Sequence, residues 1–197
     1  MQIMGLITAL PGAAAQGLIW GIMAIGVYIT FRILDIADLT VDGTLCTGGA
    51  VCIMMMLSGH NVWMSMLAAT GAGLLAGLAT GIFHTFMGIP AILAGILTQL
   101  SLYSVNLKIM GKANQAINVD KYNLLVSLRR VKGVTLTQNT LFIVAIMILL
   151  LIAVLYWFFG TELGCSLRAT GCNPSMSRAQ GINTDFNKVL GLMLSNG

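Results

Sequence analysis

The chain of 197 residues is 57% hydrophobic and 8% charged, with a mean hydropathy of +0.91. So few charged side chains cannot coat a water-soluble fold, whose charged fraction is typically about 25%, and the apolar excess exceeds what one core of this size can bury. The composition therefore excludes a soluble globular enzyme, and it also excludes intrinsic disorder, which requires the opposite composition.

The net charge of +4 comes from 10 Lys and Arg against 6 Asp and Glu, and six of the ten bases lie in residues 108–132. Because the excess of positive charge belongs to one loop rather than to a basic face, we expect no nucleic-acid partner.

The 4 cysteines lack the CxxC spacing of metal or redox sites, so we expect small buried thiols. We expect no metal ligands and no cofactor.

Charge-free stretches predict an all-α, polytopic transmembrane bundle. Residues 1–31 carry no charge, and residues 43–107 carry none over 65 positions, which is enough for about three spans of ~20 residues each. Turn residues at 58–61 and 88–90 divide the second stretch, and another apolar run covers 141–159. The predicted spans lie near residues 8–31, 43–58, 62–86, 89–107 and 139–159.

A further apolar run begins at Val189 and is cut off at Gly197. Its first six residues are too few to cross a bilayer. We therefore expect one transmembrane domain over residues 1–197 that stops inside a sixth helix.

Glycines recur at helical spacing within the predicted spans, as the pair Gly17 and Gly21 and as the stripe Gly73, Gly77 and Gly81. Since lipid contact is nearly as favourable as helix contact for an apolar side chain, close backbone approach along such glycines stabilises membrane bundles. The alternative is that glycine is simply frequent in membrane helices. That alternative weighs more for the pair than for the stripe.

Residues 32–42 carry four charges between two apolar spans. One interpretation is a solvated connection. The other is a broken helix that lines a translocation path, because irregular backbone at membrane depth is tolerated along a cavity, and buried acids pair with one another or with a base such as Arg32. The candidate path residues are Asp35, Asp38, Thr40 and Asp42.

The polar residues 160–188 contain a set of helix boundary signals. Asn173 is a good N-cap, Pro174 suits the first helical position, and Gly181 suits the position after the C-cap. They predict a helix over 174–180, about 10 Å long, which is too short and too polar to span a membrane. The segment is either an ordinary interhelical loop or a docking element for a soluble partner.

Three blocks of this sequence resemble the permeases of ATP-binding-cassette (ABC) importers in the branched-chain amino acid and simple-sugar permease superfamily. The blocks are LRATGCNP at 167–174 followed by RAQGINTD at 178–185, GIMAIGVYI at 21–29 followed by FRILDIADLTVDG at 31–43, and IMGKAN at 109–114. The N-terminal block is similar to the branch paired with lipoprotein-type binding proteins for aromatic amino acids such as tryptophan or tyrosine. The four cysteines depart from the family pattern.

The resemblance implies that 160–188 is a cytoplasmic loop whose short helix docks on an ATPase subunit. The loop residues assigned to this coupling are Arg168, Ala169, Gly171, Asn173, Pro174, Arg178, Ala179, Gly181, Ile182 and Asn183. The implied partners are ATPase subunits, an external substrate-binding lipoprotein, a second permease copy and the lipid of the cell inner membrane. The implied substrate is an amino acid. The chain itself lacks the phosphate-binding motif of ATPases, so we expect no enzymatic activity.

The positive-inside rule and the resemblance disagree on orientation. The rule weakly favours cytoplasmic placement of the basic stretch 108–132, whereas the resemblance places 160–188 inside and 108–138 outside. If 108–138 is external, we expect it to help receive the binding protein, with Arg129 and Arg130 contributing to docking. We follow the resemblance, which puts the N-terminus outside. A stand-alone channel or ion-coupled carrier remains the alternative function, and Asp35, Asp38 and Asp42 are its only candidate ionisable groups.

Overall fold

The computed structural model describes residues 2–115 and 140–197, apart from the side chains of residues 2–9, 11 and 140. These ranges form helices and connections without any strand, which confirms the all-α bundle. The helices are α1 Gln2–Tyr28, continued by the π-helical turn Ile29–Ile33, α2 Val41–Leu57, α3 Val62–Thr85, α4 Ala91–Met110, α5 Thr140–Gly160, α6 Glu162–Cys172, α7 Pro174–Ala179 and α8 Thr184–Asn196.

Four described segments are long and apolar enough to cross a membrane: Gly12–Ile33, Val62–Thr85, Ala91–Met110 and Leu141–Gly160. Helix α2 is apolar but has only 17 residues, which cover about 25 Å of a ~30 Å hydrocarbon core. Residues 35–40 before α2 are not helical, and the span expected near residues 43–58 stays a prediction.

Residues 34–41 form an extended segment and its junction with α2. Leu34, Ile36, Asp38 and Thr40 are buried, while Asp35 and Leu39 are exposed, which is the period of two that extended backbone produces. The segment packs on α4 at Gly95, where an added Cβ would lie 3.0 Å from the Leu39 nitrogen. The solvated-connection interpretation is therefore wrong for these buried positions.

Helix α8 packs along α3 through the predicted glycine stripe. A Cβ at Gly73 would overlap the Asn196 carbonyl, one at Gly77 would lie 2.5 Å from the Leu192 carbonyl oxygen, and one at Gly81 would lie 3.0 Å from the Val189 Cα. Residue numbers rise along α3 as they fall along α8, so the two helices are antiparallel. The short distances show that their backbones are nearly in contact.

The glycine pair on α1 differs from the stripe. No described atom lies within 4 Å of a Cβ added at Gly17 or Gly21. Instead α1 meets α8 at Gly26, whose added Cβ would lie 2.7 Å from the Ser195 carbonyl oxygen, and the Ser195 hydroxyl donates to the Gly26 carbonyl at 2.8 Å. The structure thus shows close packing at the stripe and at Gly26.

Two helical segments extend beyond what hydropathy indicates. Helix α6 occupies part of the stretch expected to be a loop, and its Thr161 side chain caps it by accepting from the Gly164 amide. Helix α8 begins at Thr184, five residues before the expected start at Val189, because Asn183 accepts from the amides of Asp185 and Phe186. Both starts are polar, so hydropathy gives no signal for them.

The burial expected for the cysteines is wrong at three of four positions. Cys46, Cys165 and Cys172 are exposed on the chain, and Cys52 is partly buried. A thiol is weakly polar and costs little on a lipid-facing or amphipathic helix surface.

Most of the external element expected at residues 108–138 lies outside the described ranges. The residues concerned are 116–138, which include Arg129 and Arg130.

We expect Gly77→Ala to destabilise the protein and Gly71→Ala, on the same helix, to leave it unchanged or slightly more stable. No described atom lies within 4 Å of a Cβ at Gly71, and alanine favours helix by up to about 1 kcal/mol. Overpacking at Gly77 costs about 1–3 kcal/mol, a fall in Tm of about 2–10 °C in a thermal unfolding assay. Equal Tm values for the two variants would contradict the α3–α8 packing.

Candidate functional site

A buried carboxylate lies at the centre of the bundle. Asp38 is 7% exposed and accepts hydrogen bonds from the Thr40 amide at 2.8 Å, from the Thr40 hydroxyl, and from the Asn196 side-chain amide at 2.8 Å. A buried carboxylate is tolerated only when donors of this kind replace water. The base suggested as its partner, Arg32, is exposed and forms no ion pair in the described ranges.

Other polar side chains extend these contacts across four helices. The Thr44 hydroxyl donates to the Asn196 carboxamide oxygen at 2.9 Å, the Thr40 and Thr80 hydroxyls lie 3.3 Å apart, and Thr80 donates to Thr98 at 3.0 Å. We call this set the Asp38 cluster; its members are Asp38, Thr40, Thr44, Thr80, Thr98 and Asn196. It ties the extended segment to α2, α3, α4 and α8.

Two of the four candidate path residues lie outside this cluster. Asp35 and Asp42 are both exposed. Asp35 has a left-handed backbone, with φ of 56°, and follows the end of the π-helical turn. Asp42 lies in the first turn of α2. The structure therefore brings Asp38 and Thr40 together and separates them from Asp35 and Asp42.

Helix α7 ends one residue before the predicted boundary and uses the cap residues that the sequence suggests. The Asn173 side chain accepts from the Met176 amide at 3.1 Å. At the other end Gly181 has φ of 83°, its amide donates to the Arg178 carbonyl, and the Ile182 amide donates to the Ser177 carbonyl. This pair of bonds is a Schellman motif, so both ends of α7 are closed.

Helix α7 presents nearly all of its surface outward. Ser177 is buried, while the other residues from Asn173 to Gly181 are exposed. Met176 in particular is 59% exposed, and it was not among the residues that the sequence singled out. A short polar helix with one exposed thioether and closed ends is suited to contact with a partner protein.

Side-chain bonds attach α6 and α7 to the first turns of α8. The Arg178 guanidinium donates to the Thr184 hydroxyl at 2.8 and 3.2 Å and lies 3.6 Å from the Asp185 carboxylate. The buried Asn187 side chain donates to the hydroxyls of Ser166 and Thr170 on α6. Since Asn196 at the other end of α8 bonds Asp38, this one helix joins α7 to the Asp38 cluster.

The remaining residues assigned to the loop have local structural roles. Gly171 is required because an added Cβ would overlap the Ile33 carbonyl, which brings α6 against the π-helical turn. Arg168 is exposed and donates to the Cys165 sulfur at 3.3 Å, and Ala169 is partly buried.

A cavity of about 400 Å³ lies beside α7, at the end of the bundle that we call the polar end. It is lined by the extended segment, by the α3–α4 turn, and by residues from α6 to α8, including Asp35, His84, Cys172, Pro174 and Lys188. In the described parts of the chain no group of three His, Cys, Asp or Glu side chains could hold a metal ion.

The chain matches a family model described as "Branched-chain amino acid transport system / permease component" over residues 10–196. It is 38% identical over 182 residues to a tyrosine transport system permease protein of Clostridioides difficile, covering 92% of this chain and 58% of that protein. It is 27% identical to a fructose import permease protein of Bifidobacterium longum, covering 74% and 40% of the two chains.

A galactofuranose transporter permease protein of Escherichia coli is also 27% identical, over 88% of this chain and 49% of its own length. The chain thus spans 58% or less of the length of these three relatives. No solved structure matches it. These matches confirm the resemblance seen in the loop and N-terminal blocks: the chain belongs to the family of permease components of branched-chain amino acid transport systems.

Proposed function

We propose that this chain is the transmembrane permease subunit of an ATP-driven ABC importer in the cell inner membrane. It works as a pair with a second copy, receives its substrate from an external binding lipoprotein and couples to separate ATPase subunits. The observation that carries the proposal is α7, a helix with closed ends that is almost entirely exposed and bonded to α8 through Arg178.

In this proposal α7 docks in the ATPase subunit and movement passes from α7 to α8. The bonds from Arg178 to Thr184 and from Asn187 to α6 make the start of α8 follow the loop. The glycine contacts make α8 and α3 move as one unit, because helices in near backbone contact cannot slide without overlap. The Asp38 cluster then responds, since Asn196 donates directly to the carboxylate.

The orientation follows from the same end of the molecule. The polar end faces the cytoplasm, where ATP is bound, and the N-terminus is outside. Four bases lie near this end, against six in residues 108–132, so the positive-inside rule by itself weakly favours the reverse. The support for this orientation is the resemblance of residues 160–188 to a coupling loop.

The substrate is an amino acid, with aromatic ones favoured. The support is the greater identity to the tyrosine permease protein, 38% against 27% for the two sugar permeases. A stand-alone or ion-coupled carrier is the second candidate, because Asp38 is a carboxylate inside the bundle, a residue type that such proteins use. Uptake by the chain without ATP or an ATPase would favour that second candidate.

We expect the double variant Met176→Glu with Ala179→Glu to lose at least about tenfold in affinity for the ATPase subunit, because hot-spot contacts are worth about 2 kcal/mol or more. Both side chains are exposed and neither makes a side-chain bond in the described ranges. Affinity is measured by co-purification and titration. His60→Glu adds a carboxylate to the exposed turn between α2 and α3 and should bind normally; equal binding by both variants would contradict docking through α7.

We expect Asn196→Leu to lower the stability of the protein by about 1.5–3 kcal/mol, since one oxygen of a buried carboxylate loses its donor. Replacing Asp38 by Leu in the same chain should restore part of this loss, because no buried charge is then left unpaired. Thermal unfolding of the two single variants and the double variant measures the coupling. Strictly additive effects would contradict the bond between Asn196 and Asp38.

A further inference from the structure

A second cavity, whose lining is mostly apolar, lies between α2 and α4, apart from the Asp38 cluster. Its volume is about 310 Å³, and its polar lining consists of Asp42 and Cys46 from α2 and of Gln99, Tyr103 and Asn106 from α4. This volume is at the lower end of the range of about 300–1,000 Å³ for small-molecule pockets. Positions 42 and 46 share one face of α2, and positions 99, 103 and 106 share one face of α4.

Asn106 lines this cavity and has a buried side-chain oxygen without a partner among the described residues. Its side chain is 6% exposed, and its carboxamide oxygen is buried without a hydrogen-bond partner in the described structure. Leaving a buried acceptor unpaired is destabilising, so a native structure that retains one has a reason for it. A ligand that brings a donor removes this cost once the Asn106 carboxamide turns its oxygen toward the cavity.

Asp42 is the second acceptor without a donor. Within the described ranges its carboxylate forms no hydrogen bond or ion pair. Gly43 next to it allows α2 and α4 to approach, because an added Cβ would lie 3.2 Å from the Gln99 Cγ. Gln99 is the ninth of the 20 residues of α4, so the cavity lies near the middle of that span, where an ionisable side chain indicates function.

The lining specifies the chemistry of the ligand. A buried acceptor that lacks a donor and an exposed carboxylate that lacks a partner among the described residues favour a cation that carries several donors, and a primary ammonium group meets both requirements. The Tyr103 side chain is 66% exposed, and a phenol ring attracts a cation over its face. The Gln99 amide supplies both a donor and an acceptor.

The two grooves on the helix surfaces and the Asp38 cluster do not offer this combination. The groove between α3 and α8, with Leu74 and Met193, and the groove between α1 and α5 are lined almost entirely by apolar side chains. The Asp38 carboxylate is already satisfied by Thr40 and Asn196. Among the described residues the unpaired buried oxygen belongs to Asn106 alone.

We propose that the cavity between α2 and α4 binds the ammonium group of the transported solute, with Asp42 pairing with its charge and Asn106 accepting one of its protons. This inference rests on the proposed transport function and names the residues that hold the solute within the membrane. It assigns Asp42 to the solute and leaves Asp38 to the packing of the bundle.

The test follows alkylation of Cys46, which lines the cavity and is exposed. The full chain in nanodiscs is treated with N-ethylmaleimide, and each cysteine is followed by peptide mass spectrometry. The probes are L-tyrosine, tyramine, which keeps the ammonium group, and 3-(4-hydroxyphenyl)propionate, which keeps only the carboxylate. Cys165, exposed on α6, is the internal control.

We expect saturating tyrosine and tyramine to slow Cys46 alkylation about tenfold, and the propionate to leave it unchanged, with no effect on Cys165. Asp42→Asn and Asn106→Leu should each raise the half-protecting tyramine concentration about tenfold, the change that corresponds to ~1.4 kcal/mol. Asp42→Glu keeps the charge and should stay within about threefold of the parent. Glu162 is an exposed carboxylate on α6, and Glu162→Gln should leave the half-protecting tyramine concentration unchanged.

Equal protection by all three compounds, protection by none, or a Cys46 that does not react while Cys165 does would each overturn the proposal. An unchanged Cys165 alkylation rate in the variants shows that they remain folded. Because the experiment uses neither ATP nor an ATPase, its failure is distinct from that of the proposed function. Protection of Cys46 without ATP-driven uptake would support the binding site and contradict the importer proposal. ATP-driven uptake without protection of Cys46 would support the importer and contradict the binding site.

Discussion

The near backbone contact between α3 and α8 is the constraint on which the rest of the structure depends. In a bilayer the lipid chains are as apolar as leucine, so helices gain little from covering one another with large side chains. Gly73, Gly77 and Gly81 remove the side chains on one helix and let the other approach. Helix α8 can then lie deep enough for Asn196 to reach Asp38.

The buried extended segment follows from the same arrangement. Non-helical backbone at membrane depth must be covered by protein or face a cavity, and here α4 covers it at Gly95 while α8 covers Leu34 at Gly191. The buried apolar residues that meet there, Ile29, Leu34, Ile36, Leu167 and Leu192, come from three separate parts of the chain: residues 29–36, α6 and α8. The Asp38 cluster closes the same region with hydrogen bonds, so polar and apolar contacts stabilise one packing.

Local signals in the sequence predict local structure well. The boundaries of α7 follow from Asn173, Pro174 and Gly181 because a cap acts over three or four residues, and the long spans follow from hydropathy. Thr40 is close to Asp38 in sequence and stands with it among the candidate path residues, but the Asn196 partner could not be predicted, since it is 158 positions away. The pocket around Asn106 was missed for the same reason, and α6 was missed because an amphipathic polar helix gives no hydropathy signal.

The sidedness of the polar end tests the account most directly, because every step of the proposed coupling requires α7 to face the cytoplasm. Cys172 is exposed directly before α7 and can be labelled by a membrane-impermeant maleimide in sealed vesicles. Labelling of Cys172 is expected in inside-out vesicles and protection in right-side-out vesicles, and the new thiol of a His60→Cys variant should show the reverse. Labelling of Cys172 in right-side-out vesicles would contradict the account.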